Sequence, residues 1–99
     1  MSSEPLDQSL PGNELVEQGL ADLSQNRLSD HALLVLIAAP RLKRLGIRVP
    51  EWSISGSCEH LLYDRLELRL GAGAHSYYNS LIRRIVSFAH ALERERSRQ

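Results

Sequence analysis

The sequence predicts an all-α fold, a small single-core bundle of four main helices. Three observations carry that reading. Ala32 to Ala39 is a run of eight apolar residues closed by Pro40. Leucine is by far the commonest apolar side chain, with one Trp and one Phe in the whole chain, a composition that suits helix packing. Residues Tyr78 to Leu92 repeat their apolar positions with the helical period. A chain of 99 residues is long enough for one domain with one core. Residues 1–12 read as a flexible lead-in, 13–94 as the helical domain and 95–99 as a frayed tail.

The first helix is expected from about Asn13 to Gln25. Asn13 is a good N-cap, and Glu14 and Glu17 follow where the helix dipole favours negative charge. Leu15, Val16, Leu20 and Leu23 share one side of the wheel. Gly19 lies on that side and costs about 1 kcal/mol against alanine in a helix. Close approach to a neighbouring helix is the reason to have it there. Residues 26–30 then form a short turn, so the next helix is an antiparallel neighbour.

The apolar octet has no polar face, so it is expected to be covered on most sides. Three Ala and three Leu against two β-branched residues favour helix. Ser29 and Asp30 are candidate N-caps. Pro40 disfavours helical geometry at Ala39, so the helix is expected to stop or bend there, with a short continuation to about residue 45 and Gly46 as its C-cap. Leu34 and Ile37 are expected to be almost fully buried. Eight residues fall far short of the roughly 20 that span a bilayer, so no membrane is expected.

Ile47 to Ser57 reads as a loop that lays Ile47, Val49, Trp52 and Ile54 over the core edge. A third helix is expected over 57–70, capped by Ser57, with Leu62, Leu66 and Leu70 as its stripe. Leu66 to Leu70 also alternates with period two, as a strand would. Helix is preferred because no second strand is available to pair with it. The fourth helix, about 75–94, turns Tyr78, Leu81, Ile82, Ile85, Phe88, Ala89 and Leu92 to one face within about 120°. Arg83, Ser87, His90 and Arg94 lie opposite.

Charge balances at 12 basic and 12 acidic residues but is segregated along the chain. Residues 1–30 hold six acids and one base; residues 31–50 hold Arg41, Lys43, Arg44 and Arg48 with no acid. Residues 75–99 hold five Arg and two Glu. Such patches bind an acidic partner or phosphates, or they pair with the acidic first helix inside the bundle. A helix-turn-helix spanning 29–46 would have a recognition helix too short to present several side chains to base edges. The lone Cys58 fits a reducing, cytoplasmic setting. Cys58-Glu59-His60 is not a metal-ligand spacing, since on a helix residues 58 and 60 point about 200° apart. A Cys58 nucleophile would need a base and an oxyanion donor that no sequence pattern supplies. No cofactor is called for, and Gly71-Ala72-Gly73 lacks the Lys-Ser/Thr of a phosphate loop.

The expected function is therefore a small non-enzymatic protein-interaction module that binds another protein or itself. Its candidate contacts are Arg41, Lys43, Arg44, Arg48, Trp52, Tyr77, Arg83 and Arg84. Leu68 lies off the third helix's stripe and is the expected self-association surface of a homodimer. The competing expectation is a nucleic-acid-binding regulator using the basic residues at 41–48 and 83–84. A phosphate footprint of three or four contacts would weaken with salt at a slope of about −3 in log–log terms on duplex DNA. The expected outcome is binding no tighter than roughly 10⁻⁴–10⁻⁶ M at physiological salt. A sub-micromolar, sequence-selective complex in a fluorescence titration would reverse that ranking.

Overall fold

A computed structural model describes residues 10–54 and 56–97. Among these residues the chain forms four α-helices, a 3-10 turn and no strand. They are α1 (Asn13–Ser24), α2 (Asp30–Arg44), α3 (Cys58–Leu70) and α4 (Ala74–Ser97), with Gly71–Gly73 as the 3-10 turn joining α3 to α4. No helix is long and apolar enough to cross a membrane among the residues described. The expected flexible lead-in lies outside the described residues as far as residue 9. Leu10 is part of the core, at 8 % exposure.

The first half of the octet dictates the arrangement. Ala32, Leu33, Leu34 and Val35 have no exposed surface, so α2 is packed against α1, α3 and α4 in turn. α1 approaches α2 at Gly19, as expected from its place on the apolar side. A Cβ there would stand 2.5 Å from the His31 carbonyl oxygen and would overlap the Val35 side chain. Only a residue without a side chain lets the two backbones come this close. α3 runs back beside α2, with its C-terminal Arg69 on Asp30 at the start of α2. α4 lies parallel to α2: Leu81 neighbours Leu34 near one end, and Glu93 meets Arg41 at the other. Tyr63 of α3 meets Tyr78 of α4 edge-on at 5.4 Å between ring centres, which fixes the register of that antiparallel pair.

Several local expectations need correcting. α2 does not stop at Pro40 but continues through it to Arg44. Proline removes one helical hydrogen bond and crowds the preceding turn. Here Pro40 is exposed, and the turn after it is held by Leu42, which is fully buried. The end of α2 is a Schellman motif: Gly46 N donates to Lys43 O at 3.1 Å and Ile47 N to Leu42 O at 3.0 Å. Asn13 does not cap α1. Gly12 takes that position in the left-handed conformation, and Asn13 becomes the first helical residue, buried and with no hydrogen-bond partner for Oδ1 among the described residues. Leu70 is 44 % exposed rather than part of the stripe, because it is the last residue of α3 and the chain turns away at Gly71. Ile37 is only half-buried rather than fully buried. α4 reaches Ser97, beyond the expected residue 94.

The α3 ambiguity resolves to helix. Leu66 is fully buried while Leu68 is 89 % exposed, so the alternating leucines do not share a face. The 47–57 loop behaves as expected: Ile47 and Val49 are buried, and Trp52 and Ile54 pack half-buried against the core.

A polar junction locks the α1–α2 turn. Ser29 caps α2, accepting from Ala32 N at 3.1 Å, while its hydroxyl donates to Asp22 Oδ2 at 2.5 Å. Gln18 Nε2 donates to the other Asp22 oxygen at 3.0 Å. The Ser29 hydrogen bond holds the Asp22 carboxyl below its usual 3.8, opposed in part by burial and assisted by Gln18, Arg27 and His31.

Two predictions follow from this packing. Leu34→Ala should cost about 2–5 kcal/mol in urea unfolding; a loss under about 1 kcal/mol would show that the octet is not the centre of the core. Ser29→Ala should cost about 1 kcal/mol at neutral pH through loss of the cap. Because the folded Asp22 value lies below the unfolded one, its contribution is present above about pH 4 and is lost as pH falls through the folded value. The penalty of Ser29→Ala should therefore shrink between pH 7 and pH 3. An unchanged penalty across that range would uncouple Asp22 from the junction.

Candidate interaction groove between α2 and α4

The register of the helices creates one uncovered seam. α3 has 13 residues and α4 has 24, or about 20 Å against 36 Å of helix. With Tyr63 opposite Tyr78, the antiparallel α3 begins level with about residue 83 of α4. Past that level α4 runs on beside α2 as far as the Arg41–Glu93 pair. The result is a groove of about 260 Å³ lined by Ile37, Ala38, Pro40, Ile82, Ile85, Val86 and Ala89, with Arg41 and Arg44 at its rim. This is why Ile37 is half-buried: it is a groove wall rather than core. Val86 is 39 % exposed at the same place.

The chemistry of the groove is simple. Its walls are aliphatic, and among the described residues its only charged lining side chains are the two guanidiniums. Arg41 Nη2 reaches Glu93 Oε1 at 3.0 Å, but both side chains remain substantially exposed. An exposed pair of this kind contributes about 0–1 kcal/mol and exchanges readily for another carboxylate. Arg44 makes no ion pair among the described residues. An apolar trough with a cationic edge matches an amphipathic helix whose apolar side chains are flanked by acids.

The other candidate residues are dispersed. Lys43 and Arg48 line a separate, shallower depression of about 730 Å³ on the α1 side, with Leu20, Ser24, Ile47 and Val49. Tyr77 is 44 % exposed and edges a hollow of about 430 Å³ at the start of α2, near Asp30, His31, Arg65 and Arg69. Those two arginines are already engaged, Arg69 with Asp30 at 2.7 Å and Arg65 with the Leu28 carbonyl at 2.6 Å. Trp52 does not line that hollow. Arg84 meets Glu14 of α1 at 3.0 Å, the pairing with the acidic first helix that the charge pattern allowed for. Arg83 is exposed on the outer face of α4. Of the eight expected contact residues, the structure brings only Arg41 and Arg44 to the groove.

The aliphatic walls were not singled out from sequence, although a signal existed. Val86 sits just outside the α4 stripe and beside Ile82 and Ala89 on the helical wheel, which widens the apolar face past what one core needs. Cys58 offers little chemistry: burial, and then Glu59, push its thiol up, away from the reactive thiolate. Among the described residues no three His, Cys, Asp or Glu side chains are placed to hold a metal. Neither a protein family, nor a curated protein, nor a solved structure matches the chain.

Proposed function

We propose that this protein is a small non-enzymatic interaction module whose docking surface is the α2–α4 groove. The observation that supports this reading is the seam itself: an aliphatic trough between α2 and α4, edged by Arg41 and Arg44 and, among the described residues, lined by no acid. The preferred occupant is an amphipathic helix that inserts aliphatic side chains and presents carboxylates to the two arginines. A cytoplasmic setting suits the single free thiol. Dispersal of the basic residues over three separate surfaces favours protein over nucleic acid, since a phosphate-tracking footprint needs cations acting together.

The test compares the full chain with Val86→Glu and with Arg44→Glu as immobilised baits in extract from the native host, read by mass spectrometry with and without nuclease. Both substitutions are at exposed positions, and circular dichroism should show an unchanged helical fold. A partner retained by the wild-type chain, lost by both variants and indifferent to nuclease is the expected result. A partner that survives Val86→Glu, or vanishes with nuclease, would move the function away from the groove.

A further inference from the structure

We infer that the occupant of the groove is a second copy of this chain, which inserts Leu68 of its α3. The inference rests on the groove being a docking surface and names what docks there. Leu68 is 89 % exposed, a leucine held in water on a folded helix. No other large apolar side chain described exceeds 44 % exposure. Leu68 lies next to Glu67 and one turn after Asp64, both exposed. The cations beside it on α3, Arg65 and Arg69, turn toward Asp30 at 3.6 and 2.7 Å. The outer face of α3 is thereby left with an apolar knob bordered along one side by two carboxylates.

The groove is the complement of that face, with aliphatic walls, two guanidiniums at the rim and, among the described residues, no acid lining it. A protomer cannot fill its own groove. Leu68 sits near the end of α3, level with about residue 73 at the beginning of α4, whereas the groove lies at residues 82–89, some 15–20 Å further along that helix. The contact is therefore between molecules. Two-fold pairing, the commonest closed arrangement, would use it twice, each copy giving its knob and receiving the other's. Asp64 and Glu67 of one copy would then face Arg41 and Arg44 of its partner, with Arg41 exchanging Glu93 for an intermolecular carboxylate.

Sedimentation equilibrium of the full chain at tens of micromolar tests this. The wild-type chain should sediment as a dimer. Leu68→Glu and Val86→Glu should each raise the dimer Kd at least tenfold without loss of helical circular dichroism. An equimolar mixture of the two variants should recover heterodimer, because the Val86→Glu chain keeps an intact knob and the Leu68→Glu chain keeps an intact groove. A clean monomer mass for the wild type overturns the inference, and so does a dimer that survives Leu68→Glu. Neither result touches the wider docking role: a heterologous partner lost with Val86→Glu but retained by Leu68→Glu would leave the groove as the site and remove only the second copy as its occupant.

Discussion

An octet with no polar face is the constraint on which the rest of this molecule depends. Four consecutive residues of α2 have no exposed surface, and four consecutive helical positions point in every direction around the axis. Such a segment can only exist with neighbours on all sides. α1, α3 and α4 supply them, and the order of supply follows the chain through short connections at 25–29 and 71–73. The close crossing at Gly19 is one expression of this demand: covering α2 with α1 leaves no room for a Cβ between the backbones. In the second half of the octet Ala39 is still buried, while Ile37 and Ala38 are only half-buried and wall the open groove against α4.

Electrostatics arranges what remains on the outside. Asp30 at the start of α2 collects both α3 arginines, which ties two helices together and engages the cations next to Leu68. Glu14 takes up Arg84, so one of the basic residues of α4 is engaged by the acidic α1. Arg41 and Arg44 are left at the groove rim, Arg41 paired with the exposed carboxylate of Glu93. A chain whose charges sum to zero thus presents an acidic knob on one helix and a basic-edged trough between two others.

Much of this was legible in the sequence. Apolar periodicity located α1, α3 and α4, because burial on one face is what makes a helix readable, and the unbroken Ala- and Leu-rich octet located α2. Ser29 and Ser57 were recognisable as caps since an N-terminal turn needs a side-chain acceptor, and Gly19 was recognisable as a close approach because nothing else explains glycine on an apolar face. Leu68 was visible as the residue that fitted no stripe. The failures have a common cause. Pro40 within α2, Gly12 in place of Asn13 as cap, and Ile37 as groove wall are settled by which neighbour covers which turn, and local preference is silent on that. The groove depends on the register of α3 against α4, fixed by contacts such as Tyr63 with Tyr78, between residues that no linear pattern joins. The basic residues were read as possible patches from their spacing along the chain, yet Lys43 and Arg44 are adjacent in sequence and line different surfaces.

The walls of the groove come from distant parts of the chain: Arg41 and its partner Glu93 are 52 residues apart. No such trough survives in the unfolded chain, so any occupant binds the native state alone. Folding and docking are then linked by mass action, and an occupant at 100 times its Kd adds about 2.7 kcal/mol to the free energy of unfolding. For a domain of this size, whose total stability is on the order of 5–15 kcal/mol, that is a substantial fraction. When the occupant is another copy, resistance to heat and to proteolysis becomes a function of the protein's own concentration. A dilute chain is the more vulnerable one, and its lifetime in the cell tracks its abundance.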